Sequence, residues 1–222
     1  MTTLFHNNVD DITEAHLQEL RENNVGEGIQ LEYKLTAYGP KDSDKREFLK
    51  DVSSFANTAG GLILIGLKEH RGSPVDIPGV DLDLDREKSK YESLMRYSLD
   101  PIIMGVRMVP VPLKNGRKVL AIRIPKSWNG PHAVIQNRAR LIYARNSAGA
   151  HQASTDEMRA MFNAGADLFE RAQRFQQHRM DMVHEGPGPF GNFVGDGRTT
   201  HRAIFSSQHT NINRPASVRW SR

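Results

Sequence analysis

The sequence predicts an α/β (α+β) fold, in which a mixed, mostly antiparallel sheet is flanked by helices and followed by a long C-terminal helix and a disordered tail. Two observations predict it. A hydrophobic fraction of 38% over 222 residues is enough for one core of ordinary size. Segments with apolar residues at helical spacing also alternate along the chain with segments of period two, which is typical of half-buried strands.

These patterns divide the chain into four parts. Residues 1–12 form an N-terminal lead, and residues 13–162 hold the compact domain. Residues 163–181 extend the last helix beyond that domain. Residues 182–222 are rich in glycine and proline and show no period, which predicts a flexible tail.

The first half of the domain predicts two helices and two strands. In chain order they are a helix over about 12–24, a strand over 29–34, a helix over about 44–57 and a strand over 62–67. Ser43 or Asp44 can cap the second helix, and Gly60 or Gly61 can take the left-handed conformation after its end. The strand that follows is apolar on both faces, which predicts a central position in the sheet.

The second half predicts a helix, a hairpin, a last strand and a last helix. In chain order they are a loop over about 70–82, a helix over 84–99, strands over 105–112 and 118–125, a strand over 140–145 and a helix from 155 to about 181. The pair Asn115-Gly116 is a strong signal for a hairpin turn. Ser154 or Thr155 caps the last helix, and an irregular piece begins at Pro131.

Charge is distributed unevenly. Residues 1–95 carry 18 acidic and 11 basic groups, whereas residues 96–145 carry ten basic groups and one acidic group. A block of this kind predicts a surface for a polyanion such as nucleic acid, and the alternative is a solvated basic surface without a ligand. Trp128, inside the block, either stacks on a base or packs over a turn. The predicted phosphate contacts are Lys34, Arg107, Lys118, Arg123, Arg140 and Arg145.

The composition excludes several classes of site. The chain has no cysteine, which excludes disulfides, zinc–thiolate sites and cysteine nucleophiles. No apolar run approaches the roughly 18 residues that a membrane helix needs, and the first residues lack the pattern of a signal peptide. We therefore expect a cytoplasmic protein with no membrane partner.

Four segments resemble one known family. They are GEGIQLEYK (26–34), SSFANTAGGLILIGL (53–67), Pro-Ile-Ile (101–103) before two strands, and IYARNSAGAHQASTDEMRAMF (142–162). Together they resemble the Schlafen AlbA-type domain of bacterial and phage proteins and of the animal Schlafens, over about residues 10–162. Two positions depart from the family pattern, because Gly28 stands in place of a serine and Ser147 in place of a glycine.

The resemblance implies three acids that cut RNA with a divalent metal. Matched position by position, they are Glu27, Glu32 and Glu69. Mg²⁺ or Mn²⁺ prefers such oxygen ligands and can activate a water beside a phosphate. Lys34 shares a strand face with Glu32 and would steady the phosphate. Arg145 matches an arginine of the family pattern.

The spacing leaves these roles open. Residues five apart on a regular strand face opposite sides, so Glu27 must lie in the turn before the strand to join Glu32. Otherwise Glu32 pairs with Lys34 or a core arginine, and Glu27 is solvated. We therefore expect nucleic-acid binding, RNA ahead of DNA, either with endoribonuclease activity or without it.

Two other classes of function stay open. One is a protein-interaction module in which the long C-terminal helix forms a homodimer. The other is an ATP-binding regulator. For the second, the chain has no G-x-x-x-x-G-K-[ST] motif, and Gly60-Gly61 precedes a strand, so we interpret the pair as a tight turn.

Overall fold

The computed structural model describes residues 8–137 and 139–185. The chain divides into two units, Met1–Gln177 and His178–Arg222. In the second unit the described residues are helical. The flexible tail predicted from residue 182 lies, from residue 186 onward, outside the described residues, as do residues 1–7 of the predicted lead.

The described residues form helices and strands in an α+β arrangement, which confirms the predicted class. The helices are a 3-10 turn at Val9–Asp11, α1 (Glu14–Glu22), α2 (Asp42–Asn57), α3 (Leu84–Ser98) and α4 (Thr155–Glu185). The strands are β1 (Leu31–Lys34), β2 (Gly61–Ile65), β3 (Lys68–His70), β4 (Ser73–Asp76), β5 (Leu99–Asp100), β6 (Arg107–Pro112), β7 (Lys118–Ile124), β8 (Ala133–Gln136), β9 (Ala139–Asn146) and β10 (Gly149–Gln152).

The strands divide between two four-stranded sheets and one hairpin, where the sequence predicts one mixed sheet. The first sheet has the order β1-β2-β7-β6, with β1 and β2 parallel and the other pairs antiparallel. The second has the order β10-β9-β8-β5 and is antiparallel throughout. The division escapes prediction because β5, β8 and β10 are two to four residues long, too short for a clear period.

Helix α2 lies between the two sheets and builds the larger core. Its Phe48, Val52 and Phe55 are fully buried together with Ile63 of the first sheet and Val134 of the second. Each such side chain contributes roughly 1.5–3 kcal/mol through burial. On the other face of the first sheet, α1 covers a second core, whose members include Leu17, Leu20, Leu31, Tyr33, Leu62 and Leu64. Because residues alternate along β1, Glu32 and Lys34 face α2.

Two turns follow their sequence signals. Gly116, in the Asn-Gly turn between β6 and β7, has a φ of +81°. Gly60, after α2, has a φ of +70°, and a Cβ there would lie 2.5 Å from the backbone nitrogen of Lys126. Gly61 is equally tight, since its Cβ would lie 2.3 Å from the Phe55 ring. The pair is therefore a close-packed turn, as predicted.

The predicted start is wrong for helix α2 and correct for helix α4. Helix α2 begins at Asp42 after Lys41, two residues before the predicted start after Ser43 or Asp44, and no side chain caps it. Helix α4 begins at Thr155 as predicted. Its first turn is stabilised by a hydrogen bond from Ser154 N to Glu157 Oε2 at 2.8 Å. This bond is the largest cause of the lowering of the Glu157 pKa to about 2.

Helix α4 presents apolar side chains to solvent. Phe162 and Phe175 are 59% and 63% exposed. These two side chains therefore do not cover a sheet, and the predicted homodimer through this helix stays a prediction. Within the described part of the chain, no helix has both the length and the apolar character that crossing a membrane requires.

Candidate functional site

A polar cleft of about 400 Å³ opens where β1, α2, the β3–β4 turn and the β9–β10 turn meet. We call it the acid–base cleft. Its charged lining residues are Glu27, Glu32, Lys34, Lys50, Asp51, Arg71 and Arg145. The segments around 26–34 and 142–150, which are far apart in sequence, therefore meet at one place.

Strand β1 presents Glu32 and Lys34 to the cleft. The Lys34 Nζ atom lies 2.8 Å from Glu32 Oε1, 2.8 Å from Glu47 Oε1 and 3.7 Å from Asp51 Oδ2. Although burial acts against the charge, these carboxylates raise the pKa of the Lys34 ammonium. Lys34 is therefore a fixed positive charge that neutralises the acids around it.

Arg145 is buried beneath the cleft, with 4% of the residue exposed. Its Nε donates to Gly28 O at 2.7 Å, and its Nη2 donates to Glu32 Oε2. Its Nη1 lies 3.9 Å from Asp51 Oδ1, and its guanidinium carbon lies 4.1 Å from the centre of the Phe55 ring. Arg145 thus fastens β9 of the second sheet to β1 of the first. The predicted phosphate contact is inaccessible, because Arg145 is buried and its Nε and Nη2 donate within the protein.

Asp51 is a site residue that the sequence analysis misses. It is 2% exposed, and its Oδ2 accepts a hydrogen bond of 2.8 Å from the Tyr38 hydroxyl. Burial, followed by the charge of Glu32, raises the pKa of its carboxyl. A signal was present, because Asp51 stands on the apolar face of α2 between Phe48 and Phe55. An acid in that position requires a buried partner.

Glu27 lies in the turn before β1, as its proposed convergence with Glu32 requires. Its backbone nitrogen donates to Gly72 O at 2.7 Å, and its Oε1 accepts from Tyr33 N at 2.7 Å. Its carboxylate forms no ion pair with any described residue. Burial, and then the charges of Glu32 and Glu69, raise the pKa of Glu27.

The pKa of the Glu32 carboxyl is shifted in the opposite direction from that of Glu27. Burial would raise the pKa of the Glu32 carboxyl, but the hydrogen bond from Lys34 and the charge of Arg145 lower it. Two carboxyl groups whose pKa values are pushed apart in one cleft form an arrangement suited to general acid–base chemistry.

The third predicted acid, Glu69, lies on β3 and is exposed. Its Oε2 accepts from Gly72 N at 2.7 Å, and it is not among the residues that line the cleft. Among the described residues, no three histidine, aspartate or glutamate side chains are grouped so that they could hold a metal ion. Both oxygens of Glu32 already bond to cations. The acids as arranged do not fit Mg²⁺ or Mn²⁺, and the metal requirement stays a prediction.

The predicted basic residues of the β6–β7 hairpin lie at its two ends. Arg107 and Arg123 are directly opposite each other, whereas Lys118 lies opposite Pro112 at the far end. The Arg107 Nη2 atom is 2.7 Å from Asp10 Oδ2. Arg123 is partly buried, which lowers its pKa. The basic block of the sequence therefore does not form one continuous face here.

The other two predicted contacts lie on the second sheet and on the loop before it. Arg140 is exposed and bonds to Asp100. Trp128 is 59% exposed, with the Lys126 Nζ 5.6 Å from its ring centre. Lys126 also donates to Thr58 O. The exposed ring leaves base stacking open for Trp128 and disfavours the alternative in which it packs over a turn.

Two cations of the cleft, Lys50 and Arg71, escape the sequence prediction. We call them the rim cations, because Arg71 is exposed in the β3–β4 turn and Lys50 is half-buried on α2. Neither forms an ion pair with a described residue. An anion at the cleft can therefore contact them without breaking an internal pair.

The family model described as Schlafen, AlbA_2 matches residues 27–154, which is more than half of the chain. All seven charged lining residues of the cleft fall inside that span. Among curated proteins, no match to the chain was found.

Two solved structures are similar to part of the chain. The DIP2311 protein of Corynebacterium diphtheriae is 15% identical with a TM-score of 0.42, and the match covers 63% of this chain and 29% of that one. The N-terminal domain of a RecG-related protein from Nitrosomonas europaea is 22% identical with a TM-score of 0.44, over 63% of this chain and 90% of that one. The match thus spans less than a third of the length of the diphtheria protein.

Proposed function

We propose that this chain, which belongs to the Schlafen AlbA_2 family, binds nucleic acid at the acid–base cleft and prefers RNA to DNA. The family indicates a function related to nucleic acid. The observation that carries the proposal for this cleft is the pair of rim cations, Lys50 and Arg71, which line it without an internal partner among the described residues.

The charges within the cleft support this assignment. Acids would repel a phosphate if they stood alone, but Lys34 and Arg145 neutralise Glu32 and Asp51 from within. The rim cations are then left to attract the phosphate backbone. Such contacts release counterions from the nucleic acid, so binding weakens as salt rises.

The preference for RNA rests on Glu27. Its Oε1 is occupied by Tyr33 N, while its Oε2 accepts no hydrogen bond from a described residue. A ribose 2′-hydroxyl can donate to this second oxygen, and a deoxyribose cannot. In Glu27→Gln the single amide oxygen is needed by Tyr33 N, and the second position becomes an NH2 group that cannot accept from a 2′-hydroxyl.

The test is binding of labelled single-stranded RNA and DNA of one sequence, followed by fluorescence anisotropy over a range of salt. The double variant Lys50→Gln/Arg71→Gln should weaken binding and flatten its dependence on salt. Lys41→Gln/Arg46→Gln is the matched control, since it removes one lysine and one arginine that are exposed on or beside α2. Equal losses in both double variants would refute binding at the cleft.

Cleavage of RNA is a second candidate, favoured by the opposite pKa shifts of Glu27 and Glu32. Glu27 is half-buried and carries no ion pair with a described residue, so it can take or give the proton that phosphodiester cleavage moves. The assay is cleavage of structured RNA with Mg²⁺, Mn²⁺ or EDTA, in which the predicted metal requirement is tested at the same time.

The informative variant for cleavage is Glu27→Gln, with the exposed Glu22→Gln on α1 as its control. Glu32→Gln is less informative, because Glu32 also holds Lys34 and Arg145, and its loss would disturb the fold. Cutting that stops in Glu27→Gln, while the chain still binds RNA through the rim cations, would make the cleft an active site. Binding without cutting in all variants would make it a binding site.

A further inference from the structure

A second concave site lies beside the cleft, between the segment Tyr38–Pro40 and the outward side of α3. We call it the aromatic groove. It has a volume of about 460 Å³, and its lining is mostly apolar, with Tyr38, Pro40, Tyr91, Leu94 and Tyr97 as the large side chains. Sites of this size can enclose a small planar ligand.

The inner wall of the groove is rigid. Tyr91 is fully buried and stacks on Phe48 with ring centres 4.4 Å apart. The backbone nitrogen of Tyr38 donates to the Tyr91 hydroxyl at 3.1 Å, and Lys90 Nζ donates to Tyr38 O at 2.9 Å. A wall held in this way loses little freedom when a ligand binds.

The outer lip of the groove is Tyr97, which is 80% exposed. An aromatic side chain as exposed as this one contributes little to the stability of the fold, and its ring face is available to a ligand. Ser93 and Lys45 add polar groups at the edge of the groove. Lys45 pairs with Asp42 at 3.0 Å, an exposed contact of small energy that an anionic ligand can replace.

The groove and the cleft are separated by one side chain. The Tyr38 ring lines the groove, while its hydroxyl donates to Asp51 in the cleft and the Lys34 Nζ lies 5.8 Å from the ring centre. The two sites therefore adjoin through Tyr38 within the fold.

We propose that the aromatic groove is a nucleobase site, in which Tyr97 stacks on the base and Lys45 contacts an adjoining phosphate. The groove would then select single-stranded over double-stranded nucleic acid, because a paired base is not free to enter it. The proposal rests on the proposed function for the strand as the source of the base. A free mononucleotide has the same chemistry and is the other source.

The experiment uses a single-stranded RNA that carries 2-aminopurine, whose fluorescence falls on stacking, and a duplex of the same sequence. Both are titrated into the wild-type chain, Tyr97→Ala, Tyr97→Phe and the control Phe162→Ala, which removes an exposed aromatic from α4. Adenosine monophosphate is titrated separately into the same proteins.

Tyr97→Ala should bind the single strand about tenfold more weakly and lose the fluorescence change, with duplex binding unaltered. Tyr97→Phe and Phe162→Ala should behave as wild type. The salt dependence should be unchanged in Tyr97→Ala, whereas it falls in Lys50→Gln/Arg71→Gln. This contrast separates a failure of the groove from a failure of the cleft.

Single-strand binding that is the same in Tyr97→Ala and wild type would overturn the nucleobase site and leave the proposed function intact. Should the wild-type chain bind no strand, a Tyr97-dependent affinity for adenosine monophosphate would support the groove with a free nucleotide as its source. Absence of that affinity as well would overturn both proposals.

Discussion

The acid–base cleft and the aromatic groove are linked by Tyr38, which lines the groove and donates to Asp51 of the cleft, but they differ in how many of their side chains are already paired within the fold. In the cleft, most charged side chains form ion pairs with one another. Among the described residues, Lys50 and Arg71 are the cations left for a ligand. In the groove, the buried rings pack within the hydrophobic core, whereas Tyr97 is exposed to solvent. In both regions, the residues available for binding are those that the fold does not use.

The same lesson holds between two arginines of the cleft. Arg145 is buried and bonded on several sides, while Arg71 is exposed and unpaired among the described residues. A shared residue type therefore says little about role, because accessibility decides whether a guanidinium supports the fold or meets a ligand.

The largest expected effect is the loss of folding stability when the buried arginine of the cleft, Arg145, is replaced. Arg145→Met would leave Glu32 and Asp51 without their buried cation, and we expect a loss of about 3–5 kcal/mol in the free energy of unfolding. Urea denaturation followed by circular dichroism measures it. Arg140→Met removes an exposed pair with Asp100 and should cost about 1 kcal/mol or less. Similar values for the two variants would contradict a structural role for Arg145.

The next effect concerns Tyr38, the side chain that links the two regions. Tyr38→Phe removes the hydroxyl that donates to the buried Asp51, and the expected loss is about 1.5–3 kcal/mol. The same denaturation experiment applies. Tyr97→Phe is the control, since its side chain is 80% exposed and no change is expected. A Tyr38→Phe protein as stable as wild type would mean that Asp51 does not depend on this bond.

A smaller effect separates the two regions by their response to salt. Removal of two phosphate contacts lowers the salt slope for a single strand by about 1.4, so a fourfold rise in salt should weaken wild-type binding about sevenfold more than that of Lys50→Gln/Arg71→Gln. Fluorescence anisotropy at two salt concentrations measures it. An unchanged slope in that variant would remove the rim cations from the interface.

The smallest effect is a pH dependence in the cleft. Because the folded state raises the pKa of Glu27 above its ordinary 4.5, its contribution to stability is present at acid pH and is lost as pH rises through the raised value. Glu27→Gln should therefore be more stable than wild type at pH 7, by less than about 1 kcal/mol, and equal to it near pH 4. Thermal unfolding at both pH values is the measurement. A difference that is constant with pH would contradict the shift.

Much of the fold was predictable because local patterns carry it. The apolar run of β2, the Asn-Gly turn at Gly116 and the helical spacing in α1 and α3 all appear at the predicted places. Strand β10 and the β3–β4 hairpin were not predicted, since short strands depend on their neighbours more than on their own sequence.

The candidate site was predictable only in part. Glu27, Glu32 and Lys34 were identified and do line the cleft, whereas Glu69 does not. Asp51 was missed although its position on an apolar helix face was visible. Arg71 was missed because an exposed arginine in a turn has no sequence pattern that separates it from any other surface charge.

The sequence by itself determined the family, the α+β class and the two acids near β1, because each is identified from patterns within short segments of the chain. Only the tertiary structure decided which charges are available. Arg145 and Glu32 are 113 residues apart in sequence, and they pair because β9 packs on α2 and the Arg145 side chain reaches β1. Burial and long-range pairing are properties of the packed chain, so the sequence near Arg145 and Arg71 does not show which arginine is paired within the fold and which is open to a ligand.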